Sequence, residues 1–149
     1  MTAMIIALIS GKGSPGASAA ALSMALAWPR PVLLLEADPA GSSLVLGYAA
    51  GADAGGRNLT GARVAARRFG MADAIWANVV TLDENRWLLP GAETARQAEA
   101  IDYPAVALAL ADLGVDVIID AGRIPAPVRH DALWATADVV LIATRSTLS

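Results

Sequence analysis

Residues 4–18 read MIIALISGKGSPGAS, and this stretch decides the fold that we predict. It opens with a continuous apolar run, Met4–Ile9, which is typical of a strand buried on both faces of a parallel sheet. The run leads into a glycine-rich loop. An alanine-rich segment, Ser18–Trp28, follows the loop and predicts a helix. A strand, a glycine loop and a helix in this order form the start of an α/β crossover unit.

Further apolar runs along the chain predict the rest of the sheet. Strands buried on both faces are expected at Val32–Leu35, Val117–Ile119 and Val139–Ala143, with a weaker strand at Arg86–Leu89. Helix-like segments lie between them, at 61–77, 95–113 and 129–136. This alternation predicts a doubly wound α/β fold, in which helices cover both faces of a mainly parallel sheet. Because no helix follows the last strand, we expect either a longer family domain, of which this chain is the N-terminal part, or a partner on that face.

Composition narrows the class of protein. The 149 residues are 56% hydrophobic, which predicts a single domain, 1–149, with a well-filled core. A formal net charge of −3 argues against general nucleic-acid binding. The chain has no cysteine, which fits a reducing compartment, and its longest apolar run is too short to span a bilayer. We therefore expect a cytoplasmic protein without a transmembrane segment.

The loop after the first strand has the outline of a phosphate-binding loop. That pattern is Gly, four residues, Gly, Lys, then Ser or Thr; Gly11, Gly16 and Ser18 fall in register, and Ala17 stands at the lysine position. Inward-facing N–H groups and the N-terminus of the next helix favour anionic phosphate. A turn that merely joins strand to helix is the plainer interpretation. The candidate cofactor-binding residues are Gly11, Lys12, Gly13, Ser14, Pro15, Gly16, Ala17 and Ser18.

Acidic residues follow two of the predicted strands. The string LLLEADPAGSS places Glu36 and Asp38 after the second strand, and DVIID ends at Asp120. Since the carboxyl ends of parallel strands meet at one edge, we expect these side chains near the loop. Asp38 there can orient a water or hold Mg²⁺, and Ser18 with Asp120 can hold Mg²⁺ directly. Alternatively, Asp38 followed by Pro39 only makes a turn, and apolar strands often end in Asp.

These motifs, in this order, resemble those of the ParA/MinD branch of P-loop ATPases. The loop of that branch reads KGGxGK[ST], and the matching string here is KGSPGAS. The strings VLLLEADPAGSSL, RWLLPGA, DVIIDAGR and ADVVLIATRST are similar to later motifs of the branch, so the resemblance extends over about residues 4–147. Pilus-assembly localisation proteins of the CpaE/TadZ type, some of which have altered loops, are similar as well.

The resemblance implies a set of roles and partners. ATP and Mg²⁺ are the implied cofactors, bound between the protomers of a homodimer. Lys12, the only lysine in the chain, is implied to reach the phosphate of the partner protomer, and Asp38 to position the attacking water. Ser18, Asp38 and Asp120 are the implied metal site. Members of this branch position cargo, so we expect a protein cargo or localisation partner; DNA contact has no support in the sequence.

Departures from the family pattern limit the activity that the resemblance implies. With Ala17 at the lysine position, we expect hydrolysis to be slow or lost, and a pseudo-ATPase scaffold is the alternative. The prolines usual after the last acidic motif are replaced by Ala121, Gly122 and Arg123, and Arg123 is a candidate for part of the missing positive charge. His130 is the only histidine, and we expect it on the surface at the polar start of a helix.

Overall fold

The computed structural model describes residues 2–11, 16–40, 55–126 and 129–144. Its strands are β1 (Ile5–Ser10), β2 (Val32–Glu36), β3 (Val80–Asp83), β4 (Arg86–Leu89), β5 (Asp116–Arg123) and β6 (Val139–Ala143). Its helices are α1 (Ala17–Ala27), α2 (Leu59–Phe69), α3 (Met71–Ala77), α4 (Ala95–Glu99), α5 (Tyr103–Leu110) and α6 (Ala132–Ala135).

The strands form one sheet in the order β3-β4-β2-β5-β1-β6. Neighbouring strands are parallel, except for the antiparallel pair β3–β4. Strands β1 and β2 are buried along their whole length, as continuous apolar runs require when both faces of a sheet are covered. The predicted doubly wound α/β fold with a mainly parallel sheet is confirmed.

Helices cover both faces of the sheet, and alternate strand residues point to opposite faces. Helix α1 packs on one face, where the core contains Ile6, Leu8, Val32, Leu34, Leu88 and Ile118. Helices α2, α3, α5 and α6 pack on the other, where the strands contribute Ile5, Ala7, Ile9, Leu33, Leu35, Leu89, Val117 and Ile119. The helices hold the carboxyl ends of β1, β2 and β5 side by side.

The structure corrects several predicted elements. Strand β3 was not expected; it pairs with β4 through a tight turn at Asn85, whose φ is 64°. Gly70, at φ 81°, separates α2 from α3 inside the segment predicted as one helix. The segment 95–113 is likewise two helices, because the Asp102 side chain caps a new one, accepting the Ala105 N–H at 3.1 Å.

Strand β6 was predicted to be buried on both faces, and this was wrong. It lies at the edge of the described sheet and pairs with β1 alone. Residues Val139, Val140, Leu141 and Ile142 are 41%, 40%, 41% and 62% exposed. No described helix packs over them, so an apolar sequence here does not correspond to a covered strand.

Asp116 stabilises the amino-terminal ends of the strands, at the opposite end of the sheet from Glu36, Asp38 and Asp120. Its carboxylate accepts hydrogen bonds, each at 2.8 Å, from the Met4 N–H, Trp28 Nε1–H and Arg30 Nε–H. Burial raises the pKa of Asp116, but these hydrogen bonds and the guanidinium charge outweigh it and hold the pKa below its ordinary value. One carboxylate thus joins β5 to the start of β1 and to the segment between α1 and β2.

We expect Asp116→Ala to lower the free energy of unfolding by about 1–3 kcal/mol, because it leaves three partly buried donors without an acceptor. Since folding lowers the pKa of Asp116, its contribution is present above the ordinary aspartate pKa of about 3.9 and is lost as the pH falls through the folded value. The variant should therefore lose less stability on acidification than wild type. Urea denaturation at pH 7 and below pH 4 measures both effects. Asp112→Ala, which removes an exposed carboxylate, is the control and should change little.

Candidate functional site

The acidic motifs meet at the carboxyl edge of the three central strands. Asp120 on β5 is in register with Leu8 on β1 and with Glu36 on β2. Both carboxylate residues are buried, each 1% exposed, and Asp38 follows just beyond β2 and is half-buried. Backbone hydrogen bonds continue past the strands, since the Ala37 N–H donates to the Asp120 carbonyl at 2.8 Å. Glu36, Asp38 and Asp120 therefore lie at the same edge of the sheet.

The described ends of the glycine loop lie at the same edge. Gly11 donates its N–H to the Ala143 carbonyl at 3.3 Å, and Gly16, at φ 116°, leads directly into α1. Ala17 is the first residue of α1 and is 4% exposed, while Ser18 is half-buried. The strand before the glycine segment and the helix after it are therefore present as the sequence predicts. The predictions for Lys12, Gly13, Ser14 and Pro15 lie outside the described residues.

Asp120 carries a carboxylate with one bonded and one unbonded oxygen. Its Oδ1 accepts the Gly122 N–H at 3.1 Å. Burial raises the pKa of Asp120 above its ordinary value, and the nearby Asp38 charge raises it further, whereas the Ser18 side chain and the Gly122 N–H lower it. Although Ser18 lies close enough to have this effect, no described donor reaches the buried Oδ2 with full hydrogen-bond geometry.

Asp38 packs against the backbone of Gly122. A Cβ atom at Gly122 would lie 2.7 Å from the Asp38 Cβ and Oδ1, and Gly122 has φ 75°, so glycine is required there for two reasons. Asp38 Oδ1 also accepts the Ala40 N–H at 2.9 Å, which confirms the turn that was the alternative interpretation. Burial, followed by the Asp38 charge, raises the pKa of Tyr103 to about 12. Asp38 thus faces both β5 and the start of α5.

Gly122→Ala should disturb the site as well as the fold. The matched control is Gly114→Ala, because Gly114 has nearly the same φ, 76°, with open space around a Cβ atom. We expect Gly114→Ala to cost about 1 kcal/mol from backbone strain alone, and Gly122→Ala to cost about 2–4 kcal/mol because Asp38 must also move. Urea denaturation of the two variants gives the difference. Equal losses of unfolding free energy in the two variants would show that contact between Asp38 and a Cβ atom at position 122 has no cost.

The structure gathers Ser18, Asp38 and Asp120, the residues predicted as a metal site. In the part of the chain that the structure describes, no three His, Asp or Glu side chains come close enough to hold a metal ion by themselves. Arg123, a candidate for compensating charge, ends β5 with its side chain exposed. His130 was expected on the surface and is instead buried, 2% exposed, with its Nε2 2.6 Å from the Ala121 carbonyl oxygen.

Solved structures similar to this one include two MinD proteins. One is the septum site-determining protein MinD of Pyrococcus horikoshii OT3, complexed with Mg-ADP, at 25% identity and a TM-score of 0.65. The other is the cell division ATPase MinD of Pyrococcus furiosus, at 29% identity and a TM-score of 0.60. This chain has the fold of the MinD ATPases. The expected resemblance to the ParA/MinD branch is confirmed at that level, whereas similarity to the CpaE/TadZ type stays a prediction.

The MinD likeness covers nearly all of this chain but little more than half of its neighbours. Each comparison covers 95% of this chain, and 58% and 59% of the two MinD chains. No protein-family model matches the sequence, and a comparison with curated proteins gives no match either. None of the described helices is long and apolar enough to cross a membrane.

Proposed function

We propose that this chain is a MinD-like nucleotide switch that binds ATP with Mg²⁺ and acts in subcellular positioning. Two findings support the proposal. The fold is that of MinD, and one MinD neighbour was solved with Mg-ADP. In addition, the described ends of the glycine loop and the acidic residues suited to Mg²⁺ lie at one edge of the sheet, where ligands bind in open α/β folds.

The single observation that carries the proposal is the unbonded Oδ2 of Asp120. A buried carboxylate oxygen without a hydrogen-bond partner is unfavourable, and the Asp120 carboxylate to which it belongs interacts with the Ser18 side chain and the Asp38 charge. Mg²⁺ prefers oxygen ligands and keeps several of its waters, so one carboxylate, one hydroxyl and water-mediated contact to a second carboxylate suffice. The described residues therefore fit this metal, with Ser18 and Asp120 as ligands and Asp38 acting through water.

Each remaining residue has a proposed task in this site. Bound Mg²⁺ would neutralise charge on the phosphates, and the loop N–H groups would orient them. Asp38, which packs against Gly122, would accept a hydrogen bond from an attacking water. Lys12 would supply an ammonium to the phosphate of a partner protomer. Because Ala17 provides no charge at the usual position, hydrolysis is slow or absent, which leaves binding as the main activity.

The partners follow from the same proposal. A switch that binds ATP between protomers forms a homodimer, and the dimer would present a surface to a protein cargo or localisation partner in the cytoplasm. Contact with DNA has no support among the described residues. A scaffold with the same fold and no nucleotide-dependent activity is the competing function, and Ala17 is the residue that favours it.

Titration with a fluorescent ATP analogue, with and without Mg²⁺, tests the proposal. We expect wild type to bind, to bind at least about tenfold more tightly with Mg²⁺, and to dimerise with nucleotide in size-exclusion chromatography. Lys12→Ala should lose nucleotide-dependent dimerisation while each protomer retains weak binding. Lys12→Arg, which keeps the charge, is the control. Absence of binding by wild type at millimolar Mg·ATP would exclude the switch and leave the scaffold.

A further inference from the structure

His130 occupies a place next to the candidate site that the proposed function does not use. It lies just before α6, 2% exposed, between the Tyr103 and Trp134 rings, with centroid distances of 5.8 and 4.8 Å and edge-on geometry in both cases. Its Nε2 lies 2.6 Å from the Ala121 carbonyl oxygen. The carbonyl can only accept, so Nε2 carries the proton and donates. Packing by two aromatic rings fixes the imidazole in this direction.

The Ala121 carbonyl, which accepts from His130, and the Gly122 N–H, which donates to Asp120, belong to the same peptide group. The Ala121 carbonyl and the Gly122 N–H are the two ends of one planar unit. His130 donates to one end, and Asp120 Oδ1 accepts from the other at 3.1 Å. The peptide can turn only if both hydrogen bonds are lost, so His130 and the Asp120 carboxylate restrain each other through it.

This peptide lies at an irregularity in the pairing of β1 with β5. The register between β1 and β5 shifts between Leu8 and Ser10, so that Leu8 pairs with Asp120 and Ser10 with Arg123. An irregularity of this kind interrupts the hydrogen-bond ladder. The Gly122 Cα also packs against the Asp38 carboxylate, so rotation here would move both acidic groups of the candidate site. The His130 hydrogen bond to the Ala121 carbonyl therefore acts on the peptide that contacts both acidic residues.

We propose that His130 is a positioning residue, which orients the Asp120 carboxylate and supports Asp38 through the Ala121–Gly122 peptide. His130 would thereby affect the Mg²⁺ dependence of nucleotide binding, and this effect rests on the proposed function. The geometric part concerns the nucleotide-free protein and can be tested without a ligand.

The test compares His130→Phe and His130→Gln in the full chain. Phenylalanine keeps the ring packing but cannot donate, whereas the glutamine amide nitrogen lies as many bonds from the backbone as the histidine Nε2 does. We expect amide hydrogen exchange of Gly122, followed by NMR without nucleotide, to speed up about tenfold or more in His130→Phe and to stay near wild type in His130→Gln. The tightening of ADP binding by Mg²⁺ should fall by a similar factor in His130→Phe alone.

Leu133→Ala is the matched control, because Leu133 is a fully buried residue of α6 that makes no hydrogen bond to Ala121. It should destabilise the protein without a selective increase in the exchange rate of the Gly122 amide. A wild-type exchange rate at Gly122 in His130→Phe, or an equally selective increase in Leu133→Ala, would overturn the inference. If wild type binds no nucleotide, the proposed function fails, and the exchange data still decide whether His130 restrains the peptide.

Discussion

Replacing Asp120 with asparagine is expected to abolish the Mg²⁺-dependent part of nucleotide binding and, at the same time, to make the nucleotide-free protein more stable. Asparagine can still accept the Gly122 N–H through its carbonyl oxygen, so the backbone of β5 is retained. The buried carboxylate charge is removed, and with it the ligand that Mg²⁺ requires. We expect the affinity in the presence of Mg²⁺ to fall at least tenfold, to the Mg²⁺-free value.

The stability gain has a defined pH dependence. Burial, then the nearby Asp38 charge, raises the folded pKa of Asp120 above its unfolded value of about 3.9. A raised folded pKa means that Asp120 contributes stability below the unfolded pKa and loses it as the pH rises through the folded value. The melting temperature of Asp120→Asn should therefore exceed that of wild type by a few degrees at pH 7, and the difference should shrink on acidification.

Calorimetry between pH 4 and 8, together with ADP titration with and without Mg²⁺, measures both effects. Asp112→Asn removes an exposed carboxylate outside the site and should leave both unchanged. A variant at Asp120 that binds Mg·ADP as tightly as wild type would show that this carboxylate is not a metal ligand. An unchanged melting temperature would show that the ionised carboxylate costs the fold nothing.

Much of the fold follows from short sequence patterns, because buried parallel strands must be apolar throughout. Strands β1, β2 and β5 lie where continuous runs predicted them, and their order along the chain already places Asp38 and Asp120 at one edge. Strand β3 was missed because its burial is partial and its pairing depends on the turn at Asn85. The exposure of β6 depends on what packs against it, which no local pattern encodes.

The contacts that support the site could not be predicted from short sequence patterns. The string RHDA has the polarity of a helix start, yet His130 is buried, because its polar atom has a backbone carbonyl as partner between two aromatic rings. In the sequence, Gly122 differs from the family pattern only by standing where a proline is usual, whereas its φ of 75° and its contact with Asp38 make it part of the site. Both features depend on contacts between residues that are separated in the sequence, so a local motif does not contain them.

The second large effect is expected for Ala17→Lys, which restores the lysine that phosphate-binding loops usually contain. A lysine ammonium that reaches the phosphates adds charge-assisted hydrogen bonds of about 1.5–3 kcal/mol each, so ATP affinity should rise about 10- to 100-fold. Ala17 is 4% exposed at the first position of α1, so the new side chain must bring its ammonium to solvent while its apolar stem stays against the core. A modest loss of stability should accompany the gain in affinity.

Two controls separate charge from bulk. Ala17→Met adds a long side chain without an ammonium and should gain no affinity, and Ala20→Lys adds the same charge at an exposed position of α1. If Ala17→Lys alone tightens binding, the loop holds phosphate next to residue 17, and the wild-type protein is a weak binder because of this one position. If Ala17→Lys binds no better than Ala17→Met, phosphate does not lie against the start of α1. Asp120 would then have to bind a cation without a phosphate beside it. A nucleotide switch would no longer explain why Ser18, Asp38 and Asp120 lie together.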